Sequence, residues 1–400
     1  MKVAITGSTG FVGQELVPLL EQNAYELVLI GRDLDRVKYL YPGRNCCDYS
    51  NLQNDLEGVD IVIHLAVLNN NKIATDLEFY KVNVQFALDI AQKSAAAGVK
   101  KFVNIGSLQE LSQTNLSPYA QSKKYFSHQV AMLEDIEVIN LYAPYIYGSK
   151  WGGKLDFLNK IPKCISKFLF YFIKSIWPTV SVDKVYQFID RLNYGECNNE
   201  IIICDDIGGN HIYSFSKKLI DLSFAFFVIS LLFWLFLLIW LAVQLESGAP
   251  GIFSQQRVGR EGKIFNCYKF RTMKQSTVQL GTHEVPASAV TRLGKFLRST
   301  KLDELPQVWN ILRDEISLVG PRPSLPVQTL LVEERRKRGV LSVTPGITGL
   351  AQINDVDMSD PNLLAQWDER YVASRSLLLD IKIIMSTFLG SGKGDRVKID

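Results

Sequence analysis

Several residue patterns are missing from this sequence. The 400 residues include six cysteines without any CxxC spacing and four dispersed histidines, which excludes a disulfide framework and a structural zinc site. The 44 lysines and arginines nearly balance the 41 aspartates and glutamates, so the net charge of +3 is too small for a protein that coats nucleic acid. The N-terminus has no charged segment followed by an apolar core, so we expect no secretory signal and a cytoplasmic N-terminal part.

One apolar run is long enough to meet a lipid bilayer. Residues 222–245 form 24 consecutive positions without a charge, and at 1.5 Å per residue a helix of this length spans about 36 Å. We therefore predict a membrane helix over residues 217–246. Basic residues on both flanks favour a re-entrant helix, because a single crossing would place one basic flank on the wrong side. The run contains neither proline nor glycine, so a straight span stays open.

The pattern differs on the two sides of this helix. Before it, short apolar runs alternate with stretches of helical period, which predicts an α/β domain over residues 1–205 with a Rossmann-like, doubly wound parallel sheet. Residues 206–216 then form a linker. After the membrane helix, mixed helices and loops with glycine and proline clusters predict a separate, mainly helical α+β domain over residues 247–400.

A glycine-rich turn follows the first predicted strand. Residues 7–13 (GSTGFVG) place Gly7, Gly10 and Gly13 between a strand and a helix. Side chains at these positions would keep a pyrophosphate away from the backbone N–H groups and the positive end of the helix. The turn therefore predicts a dinucleotide site, although a purely structural tight turn has the same spacing.

Two positions bear on which dinucleotide would bind. Arg32 follows the second strand, where a guanidinium can grip a 2′-phosphate, and this favours NADP. The adjacent Asp33 keeps NAD open, because a carboxylate accepts a hydrogen bond from a 2′-hydroxyl. Asp48, after the next apolar stretch, is a candidate acceptor for the adenine amino group.

A tyrosine and a lysine four residues apart indicate acid–base chemistry in the same domain. Tyr119 and Lys123 share one helical face, and a cation beside a phenol favours the phenolate. Ser107, directly after a predicted strand, is placed to hold a carbonyl oxygen. A surface pair without a function is the alternative interpretation of this spacing.

Taken in order, these residues resemble the extended short-chain dehydrogenase/reductase family of nucleotide-sugar epimerases, dehydratases and ketoreductases. The resemblance covers residues 1–205 and includes residues 60–66 (DIVIHLA), Asn83 and the pair Tyr147 and Gly148. It implies a nicotinamide cofactor, with Ser107, Tyr119 and Lys123 as the catalytic set. Reduction, epimerisation, dehydration and non-catalytic nucleotide binding all stay open, and reduction of a 4-keto nucleotide sugar with NADPH is the hypothesis we favour.

Residues 160–177 combine lysines with aromatic side chains. A helix of this composition is typical of a membrane surface. An aromatic core helix with a solvated basic edge is the alternative. The residues concerned are Lys160, Lys163, Lys167, Lys174, Phe168, Phe170, Tyr171, Phe172 and Trp177.

An acidic pair precedes an apolar helix in the C-terminal half. Pro306 is tolerated only near a helix start, so Asp303 and Glu304 lie at its positive end. One interpretation is a capping pair in which Thr300 and Asp303 bond the first turn. The other is that a carboxylate attacks phosphorus, with Asp303 and Glu304 also offering hard oxygen ligands to Mg²⁺. Cations that could neutralise phosphoryl oxygens are Lys269, Arg271, Arg292, Arg298 and Arg322.

From Lys217 to about residue 390 the chain resembles the bacterial sugar transferases known as monotopic phosphoglycosyl transferases. The strings that carry this resemblance are Lys217-Lys218 with Asp221, then residues 253–259 (FSQQRVG), 269–273 (KFRTM), 302–307 (LDELPQ), 319–323 (VGPRP) and 345–352 (PGITGLAQ). The resemblance implies that Asp303 captures the sugar phosphate of a UDP-sugar and releases UMP. It also implies that Glu304 assists at the Mg²⁺ site, that Arg322 contacts the nucleotide or the phosphates, and that undecaprenyl phosphate accepts the sugar phosphate.

Together the two resemblances imply a bifunctional enzyme of surface polysaccharide or glycoconjugate assembly at the bacterial inner membrane. UDP-sugars and NADPH are cytoplasmic, so both soluble domains are expected on the cytoplasmic face, which favours the re-entrant helix. The expected partners are a UDP-sugar, undecaprenyl phosphate and the bilayer, without nucleic acid. The sequence leaves open which sugar is transferred and whether a homo-oligomer forms.

Overall fold

The computed structural model describes residues 1–69, 74–112, 115–193, 195, 198–274 and 289–390. The chain divides into two compact units. The first comprises Met1–Lys174 and Pro178–Asp206, and the second comprises Ser175–Trp177 and Ile207–Asp400.

The first unit is built on parallel strands that alternate with helices. Its strands are β1 (Lys2–Thr6), β2 (Glu26–Ile30), β3 (Asn45–Cys47), β4 (Ile61–His64), β5 (Lys101–Ser107), β6 (Glu137–Ala143), β7 (Tyr145–Tyr147), β8 (Thr179–Ser181) and β9 (Glu200–Ile202). Its helices are α1 (Phe11–Gln22), α2 (Leu34–Leu40), α3 (Leu52–Asp55), α4 (Asp76–Tyr80), α5 (Ala87–Ala96), α6 (Pro118–Val130), α7 (Lys163–Ile176) and α8 (Val182–Arg191). A π-helical turn, Lys81–Phe86, joins α4 to α5.

The main sheet of this unit has seven parallel strands in the order β3-β2-β1-β4-β5-β6-β9. Strands β1, β2 and β4 are almost entirely buried, because helices cover both faces of the sheet. Val3 and Ile5 enter one core cluster and Ala4 enters another, as expected for side chains that alternate across a sheet. The predicted doubly wound parallel sheet is confirmed. The strand order reverses between β1 and β4, and the glycine-rich turn follows β1 at this point.

The second unit contains one long helix, two small sheets and several shorter helices. Its helices are α9 (His211–Ser247), α10 (Arg292–Ser299), α11 (Val308–Leu312), α12 (Thr329–Lys337), α13 (Leu350–Ile353), α14 (Pro361–Ser374) and α15 (Leu377–Phe388). Strands β10 (Ile252–Val258) and β11 (Ile264–Phe270) pair antiparallel, and β12 (Ser317–Val319) and β13 (Gly346–Thr348) pair in parallel. This composition matches the predicted helical α+β architecture.

Helix α9 contains the apolar run. It begins at His211, earlier than the predicted segment 217–246, so residues 211–216 of the predicted linker are helical. The cause is Asn210, whose side chain accepts a hydrogen bond from the Tyr213 N–H and caps the helix. By length and composition α9 is the one helix among the described residues that could cross a membrane, and its most apolar stretch is only 17% buried.

Helix α9 is continuous from His211 to Ser247. A break at which the chain turns back would support a re-entrant helix, and the unbroken α9 does not add this support, so re-entry stays a prediction. The uninterrupted helix follows from the lack of proline and glycine within residues 222–245.

Polar contacts join the first turns of α9 to strand β12 of the two-stranded parallel sheet. Asp221 is buried and accepts hydrogen bonds from the Leu318 N–H at 2.8 Å and the Ser317 hydroxyl at 3.1 Å. One turn earlier, Lys217 donates to the Val319 carbonyl at 2.9 Å and to the Asp380 carboxylate at 3.0 Å. These contacts fix strand β12 to the polar end of an otherwise apolar helix.

We expect Asp221→Ala to destabilise the second unit by about 1–3 kcal/mol, because the Leu318 N–H would be left buried without its acceptor. Thermal unfolding in detergent measures the effect. Lys218→Ala is the matched control, since Lys218 forms a partly exposed ion pair with Asp314 and should change stability by less than about 1 kcal/mol. Equal melting temperatures for the two variants would contradict the anchoring role of Asp221.

Candidate active sites

The glycine-rich turn of the first unit is shaped for close backbone approach. Gly7 adopts a φ of +69°, and a Cβ at Gly13 would lie 2.5 Å from the Ser8 carbonyl oxygen. Gly10 is the N-cap of α1 and provides no side-chain cap, so the first N–H groups of the helix face an open position. A helix N-terminus without a side-chain cap is suited to a pyrophosphate.

Arg32, predicted at the adenine ribose, and Asp48, predicted at the adenine amino group, lie at the carboxyl ends of the neighbouring strands. Arg32 is exposed directly after β2. Asp48 follows β3, where its carboxylate accepts hydrogen bonds from the Ser50 N–H at 2.8 Å and from the Ser50 hydroxyl. Asp48 is therefore occupied in a local turn, whereas Arg32 is accessible to a ligand.

The predicted acid–base residues lie at the end of β5 and on α6. Ser107 ends β5, and its hydroxyl lies close enough to that of Tyr119, the second residue of α6, to act on the pKa of the phenol. Lys123 is buried one turn later and donates to the Asn104 side chain at 3.2 Å and the Ile105 carbonyl at 3.3 Å. The structure thus brings Ser107 and Tyr119 together, with Lys123 bound to the strand beside them.

Glu110 is a further residue of this site that the sequence analysis missed. It is 4% exposed and accepts hydrogen bonds from the Ser107 N–H at 2.5 Å and the Ser127 hydroxyl at 2.8 Å. Ser107 and Glu110 form a capping box at the start of a 3₁₀ helix, Leu108–Leu111. The spacing of serine and glutamate was the available signal for this pair.

Glu110 changes the expected protonation of the tyrosine. We expected Lys123 to favour the phenolate of Tyr119, and this expectation is wrong. Burial, and then the negative charge of Glu110, raise the pKa of Tyr119 to about 12, although the Ser107 hydroxyl acts in the opposite direction. Burial also lowers the pKa of Lys123. Near neutral pH Tyr119 is therefore a protonated phenol.

The second unit presents its acidic pair on a 3₁₀ helix, Leu302–Gln307, which leads into α11. The capping interpretation is wrong. The Thr300 hydroxyl donates to the Phe296 carbonyl at 2.9 Å, and the N-cap is Lys301, which has a φ of +58° and makes no side-chain cap. Asp303 is buried, and no local capping bond accounts for its position.

Glu304 is held by two cations. Its Oε1 accepts hydrogen bonds from Lys269 Nζ at 2.8 Å and from an Arg322 guanidinium nitrogen at 3.2 Å. Lys269 comes from β11 and Arg322 from the loop after β12, so three separate segments meet at one carboxylate. Burial alone would raise the pKa of Glu304, but Lys269 and Arg322 hold it below its usual range.

The neighbouring carboxylate titrates in the opposite direction. Burial and the negative charge of Glu304 raise the pKa of Asp303 to about 6, while Lys269, Arg298 and Arg322 act against this increase. Two adjacent carboxylates therefore differ in their readiness to take up a proton. Asp303 is the one that is not neutralised by a direct ion pair among the described contacts.

The five predicted cations divide into two groups. Lys269, Arg298 and Arg322 act on the acidic pair, and Arg298 also donates to the Thr272 hydroxyl at 2.9 Å. Arg271 instead donates to the Pro250 carbonyl at 3.0 Å and lies over the Phe253 ring. Arg292 is exposed at the first position of α10.

A buried ion pair, also missed by the sequence analysis, supports Arg322. Arg335 on α12 binds Asp368 on α14 at 2.7 and 2.9 Å, and both side chains are 3% exposed. Arg335 also donates to the Arg322 carbonyl at 2.8 Å, and Arg257 donates to the next carbonyl, that of Pro323, at 2.9 Å. Two guanidinium groups therefore fix the backbone from which Arg322 reaches Glu304.

The donor set for a metal ion is small. Within the part of the chain that the structure describes, no three His, Cys, Asp or Glu side chains are grouped to hold a metal. Asp303 and Glu304 supply two carboxylates at one position. Two carboxylates are enough for Mg²⁺ when substrate phosphates and water complete its coordination, so the residues present fit this ion.

Comparisons with known proteins match each half separately. A family model described as bacterial sugar transferase matches residues 212–393, and one described as NAD dependent epimerase/dehydratase family matches residues 3–176. The chain is 38% identical over 171 residues to an uncharacterized sugar transferase, EpsL, of Bacillus subtilis (strain 168), which covers 43% of this chain and 84% of EpsL.

Two longer relatives match the same half. Galactosyl transferase CpsE of Streptococcus agalactiae serotype III (strain NEM316) is 37% identical over 196 residues, covering 44% of this chain and 43% of CpsE. The UDP-N-acetylgalactosamine-undecaprenyl-phosphate N-acetylgalactosaminephosphotransferase of Aeromonas hydrophila is 36% identical over 186 residues, covering 44% of this chain and 43% of that protein. The chain thus spans less than half the length of each of these two relatives.

We expect Arg335→Leu to destabilise the second unit by about 3–5 kcal/mol, because the Asp368 carboxylate would stay buried without its partner. The double variant Arg335→Leu/Asp368→Leu removes both charges and should recover most of this loss. Denaturant unfolding in detergent measures both. A double variant that is as unstable as the two single losses added together would contradict a direct coupling of the two side chains.

Proposed function

This chain belongs to the bacterial sugar transferase family and carries an NAD-dependent epimerase/dehydratase family domain before it; from this premise we propose a membrane-bound phosphoglycosyl transferase fused to a nucleotide-sugar reductase. The transferase half moves a sugar 1-phosphate from a UDP-sugar to undecaprenyl phosphate. The observation that carries this proposal is the acidic pair, in which Lys269 and Arg322 hold Glu304 while the pKa of the buried Asp303 is raised to about 6.

Asp303 is the proposed nucleophile. One of its carboxylate oxygens attacks the sugar-bearing phosphorus of the donor, the bond from that phosphorus to the UMP oxygen breaks, and UMP leaves with the electron pair. A phosphate oxygen of undecaprenyl phosphate then attacks the same phosphorus. The bond between Asp303 and phosphorus breaks, which restores the carboxylate and yields the lipid diphosphate sugar.

The surrounding charges suit this displacement. Lys269 and Arg322 are held in position by Glu304 before a substrate arrives, so they need little reorganisation to stabilise phosphoryl oxygens. Arg298 supplies a third positive charge to Asp303. Asp303 and Glu304 would hold Mg²⁺, which when bound neutralises phosphate charge and orients the donor.

The first unit is proposed to reduce a 4-keto nucleotide sugar. Ketone reduction needs a proton donor at the carbonyl oxygen, and Tyr119 is protonated near neutral pH. Ser107 lies beside Tyr119 and would hold the same oxygen. A nicotinamide cofactor supplies the hydride when it is bound over Gly7, Gly10 and Gly13, with the exposed Arg32 favouring NADP.

The raised pKa of Tyr119 weighs against epimerisation and dehydration, since these reactions begin with removal of a proton by the phenolate. Non-catalytic nucleotide binding is the second candidate. It is favoured by the capping box, in which the Ser107 hydroxyl also accepts a hydrogen bond from the Gln109 N–H at 3.3 Å. Both candidates place the chain at the cytoplasmic face of the inner membrane, where surface polysaccharide or glycoconjugate assembly begins.

We expect Asp303→Asn to abolish UMP release from UDP-sugars in detergent-solubilised protein supplied with undecaprenyl phosphate, because an amide side chain does not form the acyl-phosphate bond. Chromatography of UMP across a panel of UDP-sugars measures turnover and also identifies the donor. Asp314→Asn is the matched control, since Asp314 is 69% exposed and lies outside the site. UMP release by Asp303→Asn at the wild-type rate would refute the nucleophile.

The pH profile of the first half-reaction tests the same residue. Only the ionised carboxylate attacks phosphorus, so the rate should be constant above the pKa of about 6 and fall about tenfold per pH unit well below it. Rapid-quench measurement of the UMP burst without lipid acceptor reports this step. A burst rate that does not change between about pH 5 and pH 8 would contradict a titrating Asp303.

We expect Tyr119→Phe to reduce NADPH oxidation with a 4-keto UDP-sugar by about 10²–10⁴-fold, because the proton donor is lost. Absorbance of NADPH measures the rate, and UMP release by the other half reports intact protein. Tyr125→Phe, a change on the exposed side of the same helix, is the control. Equal NADPH oxidation by Tyr119→Phe and Tyr125→Phe would refute the reductase assignment and favour non-catalytic nucleotide binding.

A further inference from the structure

Helix α7 of the first unit exposes an apolar face. Ile165, Phe168 and Phe172 lie three and then four residues apart, on one side of the helix, and are 50%, 66% and 47% exposed. The opposite side is packed, with Ser166 and Phe170 buried. The aromatic residues of this segment therefore divide between the core and the solvent.

The segment that carries this face is strongly basic. Residues 150–174 contain six lysines and one acidic residue, Asp156. Phe157, in the 3₁₀ helix before α7, is 51% exposed and adds to the apolar surface. The exposed lysines of the segment are Lys150, Lys154, Lys160, Lys163 and Lys167.

From this arrangement we propose that the exposed face of α7, defined by Phe157, Ile165, Phe168 and Phe172, lies on the surface of an anionic bilayer. The apolar side chains enter the boundary between headgroups and acyl chains, and the lysines contact anionic headgroups. The charge favours lipid over a second copy of the chain, because two copies would bring the same lysines against each other. The proposal does not depend on the reaction of either half.

Because α7 and α9 belong to one chain, a weak interaction of α7 with the bilayer is enough to keep it docked. When the apolar run of α9 is in a bilayer, α7 and the membrane belong to one assembly, so docking becomes an intramolecular step. Each lysine near an anionic surface adds modestly to binding, and several together give stable contact. Docking would hold the first unit against the same membrane that receives the product of the second.

The test uses the full chain in lipid nanodiscs. Cys164 is exposed on α7, so it can carry an environment-sensitive fluorophore after the other five cysteines are replaced by alanine. A blue shift is expected in nanodiscs containing phosphatidylglycerol and not in pure phosphatidylcholine. The control places the fluorophore at Met132→Cys in a Cys164→Ala background, since Met132 is 70% exposed on the same unit, and no shift is expected there.

Variants with altered charge test how much the lysines contribute to docking. Lys163→Glu/Lys167→Glu should lower the equilibrium constant for docking by at least about 30-fold, which is the effect of losing two positive charges alone. The matched pair Lys38→Glu/Lys81→Glu, at exposed positions outside the segment, should leave it unchanged. UMP release in detergent should be the same for both pairs, so a failure of docking is distinguishable from a failure of the proposed transferase.

Three results would overturn the proposal: no shift at Cys164 in anionic nanodiscs, an equal shift in neutral ones, or a shift in detergent that grows with protein concentration. The last result would assign the face to a second copy. If the cysteine-depleted variant does not fold, hydrogen exchange of the wild-type chain replaces it. Slower exchange of residues 163–174 in anionic than in neutral nanodiscs supports docking, and equal exchange refutes it.

Discussion

The ion pairing of Glu304 with Lys269 and Arg322 is the constraint on which the transferase site depends. It draws together β11, the 3₁₀ helix Leu302–Gln307 and the loop after β12. Lys269 and Arg322 bind Glu304 directly and lower its pKa, whereas burial and the charge of Glu304 raise the pKa of Asp303. Glu304 therefore holds the segments of the site together, and Asp303 is the carboxylate proposed to react. This difference in environment explains why the two adjacent acids have opposite pKa shifts.

A buried carboxylate also sets the character of the first unit. Burial raises the pKa of Tyr119, and the negative charge of Glu110, which binds the Ser107 N–H, raises it further, so the phenol keeps its proton near neutral pH. The capping-box carboxylate thus adds to the effect of burial on Tyr119.

Much of the fold could be predicted from local pattern. Alternating apolar runs and the turn at Gly7 identified the parallel sheet, and the order of short strings identified the second half. Other features have no local signature: Arg335 and Asp368 are 33 residues apart, and their pairing follows only from packing of α12 on α14. The start of α9 was missed because Asn210 caps a polar first turn, whereas the prediction followed hydrophobicity. Glu110 carried a signal, its spacing from Ser107, but this spacing also occurs at ordinary helix starts.

The attachment of α9 to β12 has a geometric consequence. Asp221 binds Leu318, and Arg322 follows four residues later along the chain, so helix α9 and Arg322 share one fixed reference. An α-helix rises about 1.5 Å and turns about 100° per residue. Inserting one residue directly after Asp221, before the apolar run, would therefore shift Arg322 by about 1.5 Å along the helix axis relative to that run and rotate it by about 100° around the axis.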